Sequence, residues 1–180
     1  MQVIGIVAAK RQSLRFPGKN KHMLAGKPLF WHSVEPLVDS DLVGDVIVSS
    51  DCPEIQEYCS LKGVEVQHRH INAIENEAPL LGVLKQVCLN YHSSFDCVVT
   101  IMANCPGHKV GDVEAAISLM KEDTSLNEIR SFDAEGNETG LMMFRKHIIL
   151  EAASISSHIG AIQTEGFEVH FKEDLDKYQA

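Results

Sequence analysis

At 180 residues, with 44% hydrophobic and 23% charged side chains, the sequence reads as one soluble globular domain of ordinary size. Its net charge of −9 excludes a general nucleic-acid binder, which needs an extended basic face. No apolar run reaches the roughly 18 residues of a membrane span, and no charged leader precedes the first apolar segment, so a cytoplasmic protein with no membrane partner is expected.

The first element is Val3–Val7, a short unbroken apolar run that reads as a buried strand. It opens onto Ala9–Asn20, a loop that with Lys21 carries Lys10, Arg11, Arg15, Lys19 and Lys21. Such a cluster is either a solvated basic loop or a seat for a polyanion. The run Pro17-Gly18-Lys19-Asn20 favours the second reading, because proline stiffens the backbone and glycine lets it turn close to a ligand. The loop is not a Walker phosphate loop: Ser13 stands where its first glycine belongs and Asn20 where it needs Ser or Thr. No G-x-G-x-x-G dinucleotide motif occurs anywhere in the chain.

Next, Gly26-Lys27-Pro28-Leu29 reads as a helix start, with Pro28 in the first turn and Phe30, Val34, Leu37 and Val38 as its apolar stripe. Trp31 and His32 fit the edge of a core. Asp45–Ser50 predicts a second strand ending at Asp51, Pro53 to about Leu61 a helix, and Val64–Gln67 a third strand. His68 and His70 share one face of an extended segment; they read as exposed histidines or as a metal pair. Leu80, Leu81, Leu84, Val87, Cys88 and Tyr91 mark a helix entered through Pro79. Cys97–Met102 is the most central-looking strand, and it runs into Ala103–His108. Val110, Val113, Ala116, Ile117 and Met120 lie along one side of the following helix.

The five cysteines are scattered and form no C-x-x-C pair, which argues against both a disulfide framework and a zinc knuckle. Cys88 and Cys97 read as core residues, and Cys105 as a core residue or a nucleophile. Strands alternating with helices through residue 121 predict a three-layer α/β fold with a mainly parallel sheet and helices on both faces. The loops singled out all follow strands, where ligands of such sheets collect.

Ala9–Asn20 resembles the signature loop of the acylneuraminate cytidylyltransferases, or CMP-sugar-acid synthetases, which runs close to A-R-G-G-S-K-R-x-P-G-K-N. Ala9, Ser13, Arg15, Pro17, Gly18, Lys19 and Asn20 match it, and Lys10 stands in place of Arg, while Arg11, Gln12 and Leu14 depart. Arg69 falls at the family's Arg-Pro pair with His70 replacing Pro. Ala103–His108 stands for Q-P-T-S-P-L-R, keeping Pro106 and placing His108 where the family has Arg. Thr139–Met143 resembles N-G-A-I-Y, and GFEVHFKEDLDKY resembles D-I-D-T-x-E-D-L, with Glu168 and His170 at the two acidic positions.

The resemblance implies a nucleotidyltransferase-like (Rossmann-like) sheet and transfer of CMP from CTP to a small acidic acceptor, such as a sugar acid, with release of pyrophosphate. It assigns Lys10, Arg15 and Lys19 to the triphosphate, and Ala9, Ser13, Gly18, Asn20, Arg69 and Asn104 to the nucleotide. Asp51, Glu168 and His170 are left for Mg2+ or another divalent cation, His170 being either a ligand or a polar residue at a strand end. The family's long central insertion is missing between Lys121 and Leu141, so residues 1–180 are expected to form a single domain and a monomer or an atypical dimer. The alternative is a catalytically inactive relative that binds a nucleotide or serves as an interaction module.

Overall fold

A computed structural model describes residues 1–69, 79–151 and 158–178. Its elements in chain order are β1 (Val3–Ala8), β2 (Met23–Leu24), β3 (Lys27–Pro28), α1 (Trp31–Val38), β4 (Val46–Ser50), α2 (Pro53–Leu61) and β5 (Glu65–His68). They continue as α3 (Leu80–Asn90), β6 (Cys97–Ile101), α4 (Val110–Glu122), β7 (Glu128–Phe132), β8 (Glu138–Arg145), α5 (Lys146–Leu150) and β9 (Ile159–Gln163).

Seven strands form one sheet in the order β5-β4-β1-β6-β8-β7-β9. β1 lies parallel to β4 and β6, β4 to β5, and β7 to β9, while β8 alone runs antiparallel to its neighbours β6 and β7. β6 is thus the middle strand, as its apolar run predicts. Side chains alternate across the sheet. Val3, Val7, Cys97, Val99, Ile101, Leu141 and Met143 enter one core with residues of α1, α2 and α4. Ile4, Ile6, Val98, Met142 and Phe144 enter the other, under α3 and α5. Two cores back to back are why the strands read as unbroken apolar runs, and they give the three layers expected.

Three local expectations change. The helix does not begin at Pro28: Met23–Leu24 pairs with Lys27–Pro28 around Ala25 (φ 47°) and Gly26 (φ 80°), a left-handed two-residue turn of the kind that closes hairpins. The helix waits until Trp31; it buries Val34 and Leu37 but leaves Val38 exposed. In α3, Val83 rather than Leu81 joins Leu84, Val87 and Cys88 inside, and Leu81 is exposed. Finally, the link from Lys121 to Leu141 contains β7, which completes a hairpin with β8. Its polar sequence hides a strand whose Ile129 and Ser131 point inward, and whose buried Glu128 is paired with Arg130 at 2.6 Å.

Candidate functional site

The loop after β1 is anchored at both ends. The Ala9 amide donates to Ser49 O (2.9 Å), and the Ser50 hydroxyl donates to Ala9 O (2.7 Å), so β4 carries the strand pairing one step beyond β1. The Arg11 amide donates to Asp51 Oδ1 at 2.7 Å, and Asn20 Nδ2 donates to Lys10 O at 2.9 Å. Gly18 (φ 72°) caps a short 3-10 turn, Lys19–Lys21, and Lys21 is paired with Glu54 of α2 at 2.7 Å. Ser13 Oγ accepts weakly from the Phe16 amide at 3.4 Å. Asn20 and Asp51 therefore act as struts, while Lys10, Arg11 and Arg15 are exposed.

Lys19 points the other way, toward the loop after β6. Its Nζ donates to Val169 O at 2.7 Å. Burial lowers the Lys19 pKa against the pull of Glu168, and the charges of Arg15 and Lys10 push the same way as burial. Arg15 and Lys10 are therefore close enough to act on the Lys19 charge.

Asn104 holds the opposite wall. Its Nδ2 donates to Glu168 Oε1 and to Val169 O, each at 3.0 Å, and its carbonyl accepts from the Val169 amide at 2.8 Å. The Phe167 amide reaches Pro106 O at 3.2 Å, so residues 167–170 run extended beside the β6 loop without belonging to a strand. That alternation brings Glu168 Oε2 within 3.1 Å of His170 Nε2. Asp174 Oδ2 accepts from the amides of His170 and Phe171, both at 2.9 Å, and fixes the segment's far end.

The structure thus brings Lys19, Asn104, Glu168 and His170 together beside the loop after β6, with Lys10 and Arg15 exposed on the loop after β1 and near enough to act on the Lys19 charge. Asp51, expected with Glu168 and His170, stands instead at the end of β4 as the acceptor for Arg11. Among the described residues, no three His, Cys, Asp or Glu side chains are grouped to hold a metal. Arg69 extends the β4 side, its amide donating to Ser50 O at 3.1 Å. His68 Nδ1 meets Gln56 Nε2 at 2.8 Å, and His70 lies outside the described residues.

Cys105 is fully buried. Burial pushes its thiol far above the ordinary range, and nearby Glu168 adds to the effect, so it is no thiolate nucleophile. His108 was the residue least legible from sequence. Its ring lies inside the protein, Nε2 donating to Thr139 O at 2.8 Å and Nδ1 facing Asp112 at 3.7 Å. Burial works to raise the Asp112 pKa, but His108 and the Lys109 amide outweigh it and hold the carboxyl below the usual range. Gly166 passes directly over the His108 ring, where any Cβ would collide with it. Thr139 Oγ1 in turn bonds Ser131 and Thr164 (2.6 Å each), a buried hydroxyl chain that ties β7 and β8 to the segment leading to Glu168.

Comparison with known proteins bears on the family and the fold. A CMP-N,N'-diacetyllegionaminic acid synthase from Legionella pneumophila is 24% identical over 152 residues, covering 76% of this chain and 66% of that protein. An N-acylneuraminate cytidylyltransferase from Streptococcus agalactiae is 25% identical over 143 residues, covering 78% of this chain but only 34% of that protein. The chain thus spans from a third to two-thirds of these relatives' lengths. In fold it is similar to a CMP:2-keto-3-deoxy-manno-octonic acid synthetase solved with CTP (TM-score 0.81, 15% identity, 98% of this chain and 96% of that one). A cytidylyltransferase from Leptospira borgpetersenii is similar too (TM-score 0.75, 15% identity, 100% and 89%). The profile of the family described as Cytidylyltransferase matches residues 4–138, three-quarters of the sequence, and the chain belongs to that family.

Proposed function

We propose that this protein transfers CMP from CTP to a small acidic acceptor, a sugar acid, and releases pyrophosphate. The observation that carries the reading is the Lys19 ammonium, bonded to Val169 O beside the Asn104–Glu168 pair and near enough to Arg15 and Lys10 to feel their charge, at the strand ends where ligands of α/β sheets bind. The family membership supports the nucleotide. The names of the relatives, which include a 3-deoxy-manno-octulosonate cytidylyltransferase from Pelobacter propionicus at 27% identity, support the acceptor class.

Phosphoryl transfer of this kind asks a protein mainly to position its reactants and to balance charge. Lys10, Arg15 and Lys19 bring three positive charges against a triphosphate in an otherwise acidic chain. Lys19 is placed to follow charge onto the departing pyrophosphate, because its ammonium is held from below by Val169 O and its remaining donors can turn to phosphate oxygens. Gly18, Ser13 and Ala9 shape the backbone over which the phosphates would lie, and Asn20 and Asp51 keep that backbone from collapsing. Arg69 borders the base side.

A divalent cation, when bound, would offset the charge of the triphosphate. Mg2+ prefers oxygen ligands, and the donors facing each other here are one carboxylate and one imidazole. Glu168 suits that ion and His170 does not, so no step is assigned to it.

The test is pyrophosphate release from CTP across a panel of sugar acids, with neutral sugars as controls. Release with at least one acid and none with the neutral set is expected. CTP binding without release on any acceptor would replace the enzyme with a nucleotide-binding relative. Absence of CTP binding would overturn both.

A further inference from the structure

His32 reads from sequence as a residue at the edge of a core, but the structure spends both of its ring nitrogens. The ring lies in the first turn of α1, 8% exposed, and Nε2 meets Leu24 O at 2.9 Å. A carbonyl only accepts, so Nε2 carries the proton and Nδ1 is left to accept from the Tyr178 hydroxyl at 3.2 Å. The Tyr178 ring also stands edge-on to the imidazole, with centroids 5.1 Å apart.

The two partners of His32 belong to different parts of the site. Leu24 lies in the β2–β3 hairpin that follows Lys19–Lys21, and the Phe30 amide ties the hairpin's far end back to Asn20 O at 3.0 Å. Tyr178 follows the 3-10 turn Lys172–Lys177, in which Asp174 holds the amides of His170 and Phe171. Ser33, the next residue of α1, donates to Met102 O at 2.8 Å, where β6 gives way to its loop. The first turn of α1 is therefore a joint for the hairpin, the β6 loop and the C-terminal segment. Residues 167–170 belong to no strand, so no sheet register fixes them, and the Tyr178–His32 clasp holds the stretch that follows.

We propose that Tyr178 is a positioning residue for nucleotidyl transfer. Through His32 it sets where residues 167–170, with Glu168 and the Val169 carbonyl that receives Lys19, stand against the loop after β1. The inference rests on the nucleotidyltransferase reading for the step it serves. In-line transfer depends on placement, and a misplacement of about 1 Å costs up to about a hundredfold in rate. In that reading CTP is met by the exposed Lys10 and Arg15, which the clasp does not hold, so the clasp acts on kcat more than on CTP affinity.

The experiment compares the wild type with Tyr178→Phe, which keeps the ring and loses only the hydroxyl, with His32→Phe and with the double variant. Two readouts are taken on the full chain: pyrophosphate release from CTP with an accepted sugar acid, and hydrogen exchange at the Val169 amide, which is bonded to Asn104 O. In Tyr178→Phe, kcat should fall about tenfold while KM for CTP stays within about twofold, and Val169 exchange should quicken about fivefold. The double variant should match His32→Phe, because the hydroxyl acts through that ring. A kcat that does not fall, an exchange rate that does not quicken, or losses that multiply in the double variant overturn the proposal, even where the Tm drops. Wild-type release with neither readout moved by Tyr178→Phe sinks the clasp alone. No wild-type release with any acid, while Val169 exchange still responds, sinks the transfer reading and leaves the clasp standing as what holds residues 167–170.

Discussion

The two walls of the site are built in opposite ways. The wall after β1 uses its struts, Asn20 and Asp51, to hold its loop in place, and Lys10, Arg11 and Arg15 on that loop are exposed. The wall formed by Asn104 and residues 167–170 engages its own polar groups: Asn104 with Glu168, Glu168 with His170, His170 with Asp174. Lys19 is the bridge, anchored in the first wall and bonded to the second through Val169 O. The first wall offers exposed cations, while the second is tied up in hydrogen bonds among its own polar groups. Nucleotide binding should therefore be governed by the first wall.

The largest expected effect comes from breaking the second wall at its support. Gly166→Ala drives a methyl group into the His108 ring and should destabilise the fold by about 2–3 kcal/mol, the upper part of the range of about 1–3 kcal/mol for overpacked sites. Denaturant unfolding measures this, and His108→Ala in the same background should return part of the loss, because the two changes share one space. Full additivity would mean that His108 is not what holds residues 166–170 in place.

A smaller effect is expected from Asn104→Ala, which removes the donor to Glu168 and to Val169 O. A cost of about 1–2 kcal/mol in stability is expected, as for a buried donor shared by two acceptors. Affinity for CTP without divalent ions should change far less, since the first wall is untouched. A variant that loses nucleotide as strongly as it loses stability would blur the division between the walls.

The smallest effect tests the outer brace of the first wall. Lys21 and a hydrogen bond from Cys52 hold Glu54 at a pKa of about 2, against an ordinary value of 4.5. Because the folded value is the lower one, the contribution is present above pH 4.5 and is lost as the pH falls toward 2. Glu54→Gln should lower the Tm slightly at pH 7, and the gap to wild type should close at acid pH. A gap independent of pH would assign the effect to packing. The small size follows from full exposure of the pair to solvent.

How much of this was legible in the sequence follows the same division. The first wall is local: an apolar strand, a run of cations and Pro17-Gly18 lie within 20 residues, so spacing alone located it. The resemblance put Glu168 and His170 at the family's two acidic positions, and the structure brings their side chains within 3.1 Å of each other, on a segment that is extended beside a loop rather than paired in a sheet. What spacing could not carry was the direction of single side chains set by distant partners. His108 turns inward because Thr139 O and Gly166 receive it from more than 30 and more than 50 residues away. Asp51 faces the Arg11 amide instead of the acids it was grouped with for the same reason. β7 escaped notice because Glu128 and Arg130 neutralise each other and Ser131 serves a buried hydroxyl chain, so its polarity misrepresents its burial.

The claim that the nucleotide's phosphates rest on the first wall is tested most directly by calorimetric titration of CTP into the wild type, Lys19→Ala and a control, Lys121→Ala. Lys121 lies in the last turn of α4, away from the strand ends that carry the site. Lys19→Ala should weaken CTP binding by about 1–3 kcal/mol, the range for hydrogen bonds to charged groups, while Lys121→Ala binds as the wild type does. Wild-type affinity should also fall as the pH rises through the lowered Lys19 pKa, short of the ordinary lysine value of 10.5, because the ammonium is the form that binds. A folded Lys19→Ala variant that binds CTP as tightly as the wild type, at neutral and alkaline pH alike, would remove this loop from the nucleotide site.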